Sequence, residues 1–338
     1  MMMRTYPLGK LPAAHLARLL TTYAPTDPRL IAGGAVGQDV AVIDFGDRYL
    51  VAKTDPITFA TSKIGWYAVN INANDVACAG ATPRWFLATL LLPQNQTTPA
   101  LVDEIFEQIH TACRALNITV AGGHTEITYG LDRPIVVGQM LGEVAPERLI
   151  LTAGAQPGDD LILTKGIAIE ATAIIAAEKQ ADLRAHFDEA TLARCAAFLE
   201  KPGISVVKDA AIAAAAGHVH AMHDPTEGGV ATGLHELAEA AGLGLEIFAP
   251  RLPFLPETRA LCHHFGLDPL GVIASGALLI AAPPSASADI VAALQAAGIN
   301  SAAIGRTHPA EFGRWLAGDG NRRPLPTFAR DEITRLFE

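Results

Sequence analysis

Ile64-Gly65-Trp66-Tyr67-Ala68-Val69-Asn70-Ile71-Asn72-Ala73-Asn74-Asp75-Val76-Ala77-Cys78-Ala79-Gly80 is the stretch on which the reading of the fold turns. It is rich in alanine, and the apolar spacing of Ile64, Ala68 and Ile71 predicts a helix over 64–79. Gly80 and Pro83 end that helix. A helix so short of charge belongs in a core, yet it carries Asn70 and Asn74 at i,i+4 spacing and the carboxylate of Asp75. Buried amides and carboxylates are costly without partners. An ion or a ligand supplies such partners, and so does a capped, solvated helix end near Gly80; spacing leaves both readings open.

Outward from this helix the pattern alternates. Before it, Val40 to Asp44, a turn at Gly46-Asp47 and Tyr49 to Thr54 read as a hairpin, with a helix at Ala13 to Leu20 ahead of them. After it come a strand at Trp85 to Leu92, a helix at Leu101 to Leu116, and strands at Ile118 to Ala121 and Ile135 to Leu141. The order β-β-α-β-α-β specifies an α/β unit. Thr152 to Gly158 has turn chemistry and no periodicity, which places a boundary between domains 1–153 and 154–338. Dividing 338 residues by about 150 per domain also gives two. The second half reads as a strand at Leu161 to Thr164, Ala-rich helices to about Ala216, and a short strand at Val219 to Met222. A helix at Gly229 to Ala241, a strand at Leu245 to Phe248 and a helix at Pro256 to Phe265 follow. A strand at Ala277 to Ala281, a helix at Ala286 to Ala297 and a strand near Ala302 complete it.

With 50% hydrophobic and 18% charged residues, the chain buries a core and is not a disordered tail. A net charge of -10 gives no global field to attract nucleic acid or an anionic membrane. Pro283, Pro284 and Glu170 interrupt the most apolar runs, so no transmembrane span is expected, and the first dozen residues lack the apolar stretch of a secretory signal. A cytoplasmic location follows as the expectation. Cys78, Cys113, Cys195 and Cys262 are scattered without a C-x-x-C, which predicts reduced, buried thiols rather than a zinc site or disulfides.

Further clusters could carry chemistry. Gly33-Gly34-Ala35-Val36-Gly37-Gln38-Asp39 is glycine-rich but runs into a strand rather than opening a helix, so a flexible turn competes with a phosphate site. Lys53-Thr54-Asp55-Pro56 ends the next strand, with Pro56 expected to stop pairing and an Asx-turn as the plain alternative. Mg²⁺ takes one or two carboxylates plus waters and phosphate oxygens, a need that Asp39, Asp55 and Asp75 suit if they converge. Gly122-Gly123-His124-Thr125-Glu126 reads as a loop after a strand, offering backbone N–H groups, a hydroxyl and a carboxylate. In His223-Asp224-Pro225-Thr226-Glu227-Gly228-Gly229, Asp224 suits an N-cap, Pro225 the first helical position and Glu227 a capping box. Capping does not explain Gly228-Gly229; close backbone approach to a ligand does, and such a helix start seats an anion such as phosphate or carboxylate. Lys53, Lys165, His124 and His223 are candidates for phosphate contact or proton transfer.

Taken in order, these segments resemble the superfamily of aminoimidazole ribonucleotide (AIR) synthases, thiamine-monophosphate kinases and the hydrogenase-maturation protein HypE. The matching pieces are Gly37-Gln38-Asp39-Val40-Ala41-Val42, Thr54-Asp55, Asn74-Asp75-Val76-Ala77 with Gly80-Ala81-Thr82-Pro83, and Gly122 to Glu126. In the second half they are Gly158-Asp159-Asp160, Asp224 to Gly229, and Gly266-Leu267-Asp268-Pro269-Leu270. The last two draw the chain toward the HypE-like branch. The resemblance implies a two-domain PurM-like α/β fold, an N-terminal ATP-binding domain that dimerises through its sheet, and a C-terminal α/β domain. It also implies ATP and Mg²⁺ as cofactors, Asp39, Asp55 and Asp75 holding the metal, and Gly37, Thr54, Asn74, Gly122, Gly123 and Thr125 joining them around ATP. Lys53, Asp55 and His124 then stand as catalytic residues, and Asp224, Thr226, Gly228 and Gly229 as the seat of substrate or phosphate.

The implied reaction is phosphoryl transfer from ATP that activates an amide or similar group of a small molecule or partner protein. A small-molecule kinase similar to thiamine-monophosphate kinase is one alternative, and a nucleotide-binding assembly factor that docks a maturation partner with little turnover is another. Three departures bear on this. Gln38 stands where many relatives have Asp. Glu227 stands where HypE proteins have arginine, so a contact to an anion becomes repulsive or cation-binding. The chain ends Ile333-Thr334-Arg335-Leu336-Phe337-Glu338 without the terminal cysteine that carries HypE's reacting group, so that reaction on its own terminus is not expected.

Overall fold

The computed structural model describes residue 6 and residues 11–34, 37–58, 62–318 and 320–337. Ala35 and Val36 of the glycine-rich stretch, most of the first ten residues on which the absence of a signal was read, and the terminal Glu338 lie outside the described residues. Two sheets organise the rest. The first is six-stranded in the order β1-β2-β3-β6-β4-β5. Its strands are β1 (Leu30–Ala32), β2 (Ala41–Asp44), β3 (Tyr49–Ile57), β4 (Thr82–Pro93), β5 (Thr119–Thr128) and β6 (Ile135–Val144). Helix α1 (Ala13–Thr22) precedes them, and α2 (Ile64–Cys78) and α3 (Pro99–Ala115) pack with the sheet.

The second sheet is seven-stranded, in the order β13-β12-β9-β11-β7-β10-β8. It uses β7 (Asp160–Thr164), β8 (Ala221–His223), β9 (Leu243–Phe248), β10 (Leu279–Ala282), β11 (Ser301–Pro309), β12 (Arg314–Gly318) and β13 (Asn321–Pro324). Around it lie α4 (Ile169–Glu178), α5 (Gln180–Leu183), α6 (Glu189–Ala196), α7 (Val207–Ala216), α8 (Gly229–Ala241), α9 (Pro256–Phe265) and α10 (Pro284–Ala296). Pairing is antiparallel except β4 with β5 and β12 with β9.

The central helix is buried along nearly its whole length, as its composition requires. Strand β6 makes room for it. Gly138 and Gly142 face α2, where an added Cβ would come within 2.4 Å of Asn72 Nδ2 and of Val76 Cγ1. Side chains there would push the helix off the sheet; their absence lets α2 lie close enough for Asp75 to meet β3.

Several expectations need correcting. Pro56 does not end its strand, since β3 runs on to Ile57 with Pro56 opposite Val137 of β6. Strand β2 covers only Tyr49 to Ala52, so Pro56 sits where β3 has a neighbour on one side, a position that spares proline's missing N–H. Gly122 to Glu126 is not a loop but the middle of β5, at the end of the sheet order. Asp224 is not an N-cap and Glu227 closes no capping box: α8 begins at Gly229 after a left-handed Gly228, with no side-chain cap. Both glycines have positive φ, 76° and 70°, so the chain between Pro225 and Gly229 is not helical. An added Cβ on Gly229 would lie 2.3 Å from Leu270 O. The close approach that Gly229 allows is therefore to Leu270 of the Gly266–Leu270 motif, while an added Cβ on Gly228 would lie 2.4 Å from Thr232 Oγ1 of α8.

Candidate functional site

Strand alternation puts Lys53 and Asp55 on one face of β3, and α2 presents Asp75 to them. Lys53 Nζ lies 2.9 Å from Asp75 Oδ2 and 3.4 Å from Asp55 Oδ2. Burial opposes the ammonium's charge, but the charges of Asp75, Asp55 and Asp39 outweigh it and hold the amine above its ordinary value. Burial, then the charge of Asp224, pushes the Asp75 carboxyl well above the usual carboxylate range, with Lys53 pulling the other way. Asp224 is fully buried too, and is pushed up to about 6 by burial against the opposing pull of His223. Burial favours the neutral form of both carboxyls, while Lys53 and His223 favour the charged form.

The second domain closes the cluster. His223, at the end of β8, approaches Asp39 Oδ2 with Nδ1 at 3.5 Å and donates from Nε2 to Glu236 Oε2 at 3.0 Å. Burial alone would discharge the ring, but these two carboxylates raise it to about 10, so an imidazolium bridges the domains. Cys78 Sγ contacts Asp224 Oδ1 at 3.5 Å. Asp224 Oδ2 is buried without a hydrogen-bond partner. Between them is a crevice of about 10 Å³ lined by Gln38, Asp39, Asp75, Cys78, Thr152 and His223, enough for about one water. Asp39, on its lining, and Asp55, beside Lys53, each have 41% of the side chain exposed and reach solvent, whereas Asp75 is only 8% exposed.

The three aspartates thus come to one place around two cationic side chains. Other expected residues do not join them. Asn74 donates from Nδ2 to Ile204 O at 2.9 Å and accepts from Val206 N at 2.8 Å, so both amide atoms tie the second domain to α2. Asn70 donates back to Trp66 O. Thr54 Oγ1 donates to Gly138 O across the ladder. Gly37 turns with positive φ against α8, near Ala240 and Glu236. Asp55, Gly138, Ala88 and Gly123 form one row across the sheet, which puts Gly123 three strands, about 14 Å, from Asp55. Gly122, Thr125 and His124 go with it, and His124 Nε2 is exposed beside Glu126 at 3.4 Å. Lys165 is buried, donating to Ser205 O and pairing with Asp209 at 3.5 Å.

The anion seat at α8 is filled from within. Gly228 N donates to Asp331 Oδ2 at 2.7 Å, so a carboxylate of the same chain takes one of the two anion types expected there. Thr226 contributes its backbone oxygen to Gly229 N and Ala274 N, both at 3.1 Å. Glu236 went unread in the sequence and Cys78 was read only as a buried thiol, since nothing in their spacing marks either as part of the site. Glu170 did leave a signal: a lone acid in an Ile/Ala run, and the structure buries it. All four cysteines are free and buried, as composition suggested.

Two family models match the chain: AIR synthase related protein, N-terminal domain, over residues 37–144, and AIR synthase related protein, C-terminal domain, over residues 156–314. The carbamoyl dehydratase HypE of Rhodobacter capsulatus is 29% identical over 296 residues, covering 86% of this chain and 83% of that protein. The crystal structure of HypE from E. coli, a hydrogenase maturation protein, is similar with a TM-score of 0.73 at 25% identity, over 94% of this chain and 97% of that one. A structure of the hydrogenase maturation protein HypE in complex with ATP is similar with a TM-score of 0.73 at 21% identity, over 97% and 98% of the two chains. No helix among the described residues is long and apolar enough to cross a membrane.

Proposed function

Because the chain belongs to the AIR synthase related family in both of its domains, we propose that it is a Mg²⁺-dependent, ATP-using enzyme. It transfers a phosphoryl group to an amide or similar group of a small molecule or partner protein. The observation that carries this reading is the gathering of Asp39, Asp55 and Asp75, from three separate segments, around Lys53 and His223 at the junction of the domains. The similar structure of HypE in complex with ATP supports the nucleotide. We take the enzyme to act as a cytoplasmic homodimer joined through its N-terminal sheet.

The crevice has no room for a nucleotide, so ATP would lie outside it, against a rim of exposed carboxylates, Asp39 at the crevice and Asp55 beside Lys53. The oxygen donors there suit Mg²⁺ bound to phosphates. Such an ion neutralises charge building on the phosphate oxygens. Lys53 and the His223 imidazolium keep the buried carboxylates compensated, so that the rim meets a phosphate group without the full repulsion of four acids. Fixed charges of this kind need no reorganisation when the phosphoryl group moves.

Thermal unfolding tests the reading. ATP and Mg²⁺ together, at about 100 times the dissociation constant, should add about 2.7 kcal/mol to the wild type, a shift of several degrees. Asp75→Ala should show no such response. A wild type indifferent to ATP with Mg²⁺ would overturn the nucleotide assignment. Free phosphate released with ADP marks the activating reaction; a stable phosphorylated acceptor marks a kinase.

A further inference from the structure

Lys53 fills the space between two of the carboxylates that a hard cation would use. Its Nζ is within 3.4 Å of both Asp55 Oδ2 and Asp75 Oδ2, and the side chain is only 12% exposed. A hard cation drawn to these carboxylate oxygens would compete with the ammonium for the space between them and would be repelled by its charge. Among the described residues no three His, Cys, Asp or Glu side chains are arranged to hold a metal ion. Gln38, on the lining of the crevice, adds no negative charge to attract a cation, and its Nε2 donates to Val40 O at 3.1 Å.

We propose that Lys53 is the resident cation of this site, seated between Asp55 and Asp75 where a divalent ion would otherwise bind, so that metal enters only as a complex with nucleotide phosphates. The seat of Lys53 stands on the geometry alone; the clause about nucleotide rests on the ATP reading above. The same arrangement makes Lys53 a determinant of how many metal ions the protein takes up.

Titration of the nucleotide-free full chain with Mn²⁺, followed by electron paramagnetic resonance of the free ion, separates the two. The wild type and Lys53→Arg should leave Mn²⁺ in solution, while Lys53→Gln should bind one Mn²⁺ at least tenfold more tightly. A folded Lys53→Gln that gains no Mn²⁺ binding overturns the proposal, as does a Lys53→Arg that binds Mn²⁺ like Lys53→Gln. If Lys53→Gln does not fold, the wild type decides. Stoichiometric Mn²⁺ uptake without nucleotide overturns the proposal, and uptake only together with ATP upholds it. Because the first titration contains no ATP, it fails independently of the thermal-shift test of the nucleotide.

Discussion

Glu170 stands in the apolar run from Ile167 to Ala176, and its carboxyl lies in the core with Oε2 lacking a hydrogen-bond partner. Burial first, then the charges of Asp331 and Glu227, push it from 4.5 up to about 7, while Ser275 pulls the other way. The folded protein therefore binds this proton more tightly than the unfolded chain. The stabilisation is complete below pH about 4.5 and is lost as pH rises through about 7, on the order of 3 kcal/mol across that window. Glu170→Gln should remove this term, so urea unfolding at pH 5 and pH 8 should show a smaller loss for the variant than for the wild type. Equal losses would mean that Glu170 is not protonated in the folded state. The interrupting acid was visible in the sequence, but the neighbours that shift it, at positions 227, 275 and 331, were not, because they approach it from distant segments.

At the scale of elements, α2 joins the two halves of the molecule. Asn74 satisfies Ile204 C=O and Val206 N–H together, whereas Asn70 only bonds back to its own helix at Trp66. Asn74→Ala should cost about 2–4 kcal/mol in urea unfolding, since two buried backbone groups lose their partner. Asn70→Ala should cost clearly less, and equal costs would place the junction elsewhere. Helix α2 was legible because its apolar spacing and terminal glycine are local signals. Strand β5 was legible only in its first residues, read as a strand over 118–121; its continuation from Gly122 was not, because Gly122, Gly123 and its polar neighbours have the composition of a loop, and an exposed edge strand has no burial alternation to betray it. Strand β13, Asn321–Pro324, is exposed throughout and was missed for the same reason.

Across the whole molecule, β5 ends the first sheet with a row of exposed residues; Ile127 near its end and Tyr129 just after it are 59% and 85% exposed. An edge that presents unpaired backbone and large apolar side chains calls for a cover. The homodimer proposed through this sheet supplies one. Light scattering after size-exclusion chromatography should give a dimer for the wild type and a shift toward monomer for Ile127→Lys. A monomeric wild type at micromolar concentration would exclude this assembly.

Motif order alone was enough to identify the superfamily and its two-domain fold, and the family models and similar structures agree. It also picked out the three aspartates, because residue type and local spacing are properties of the chain itself. Tertiary structure alone decided what those residues do to one another. It set Lys53 between Asp55 and Asp75, bridged Asp39 to Glu236 through His223, spent Asn74 on the domain junction and filled the α8 anion seat with Asp331. Charge and hydrogen bonding act over a few ångströms, and these partners are brought within reach only when two sheets, built from segments up to a hundred residues apart and more, pack against the same helices.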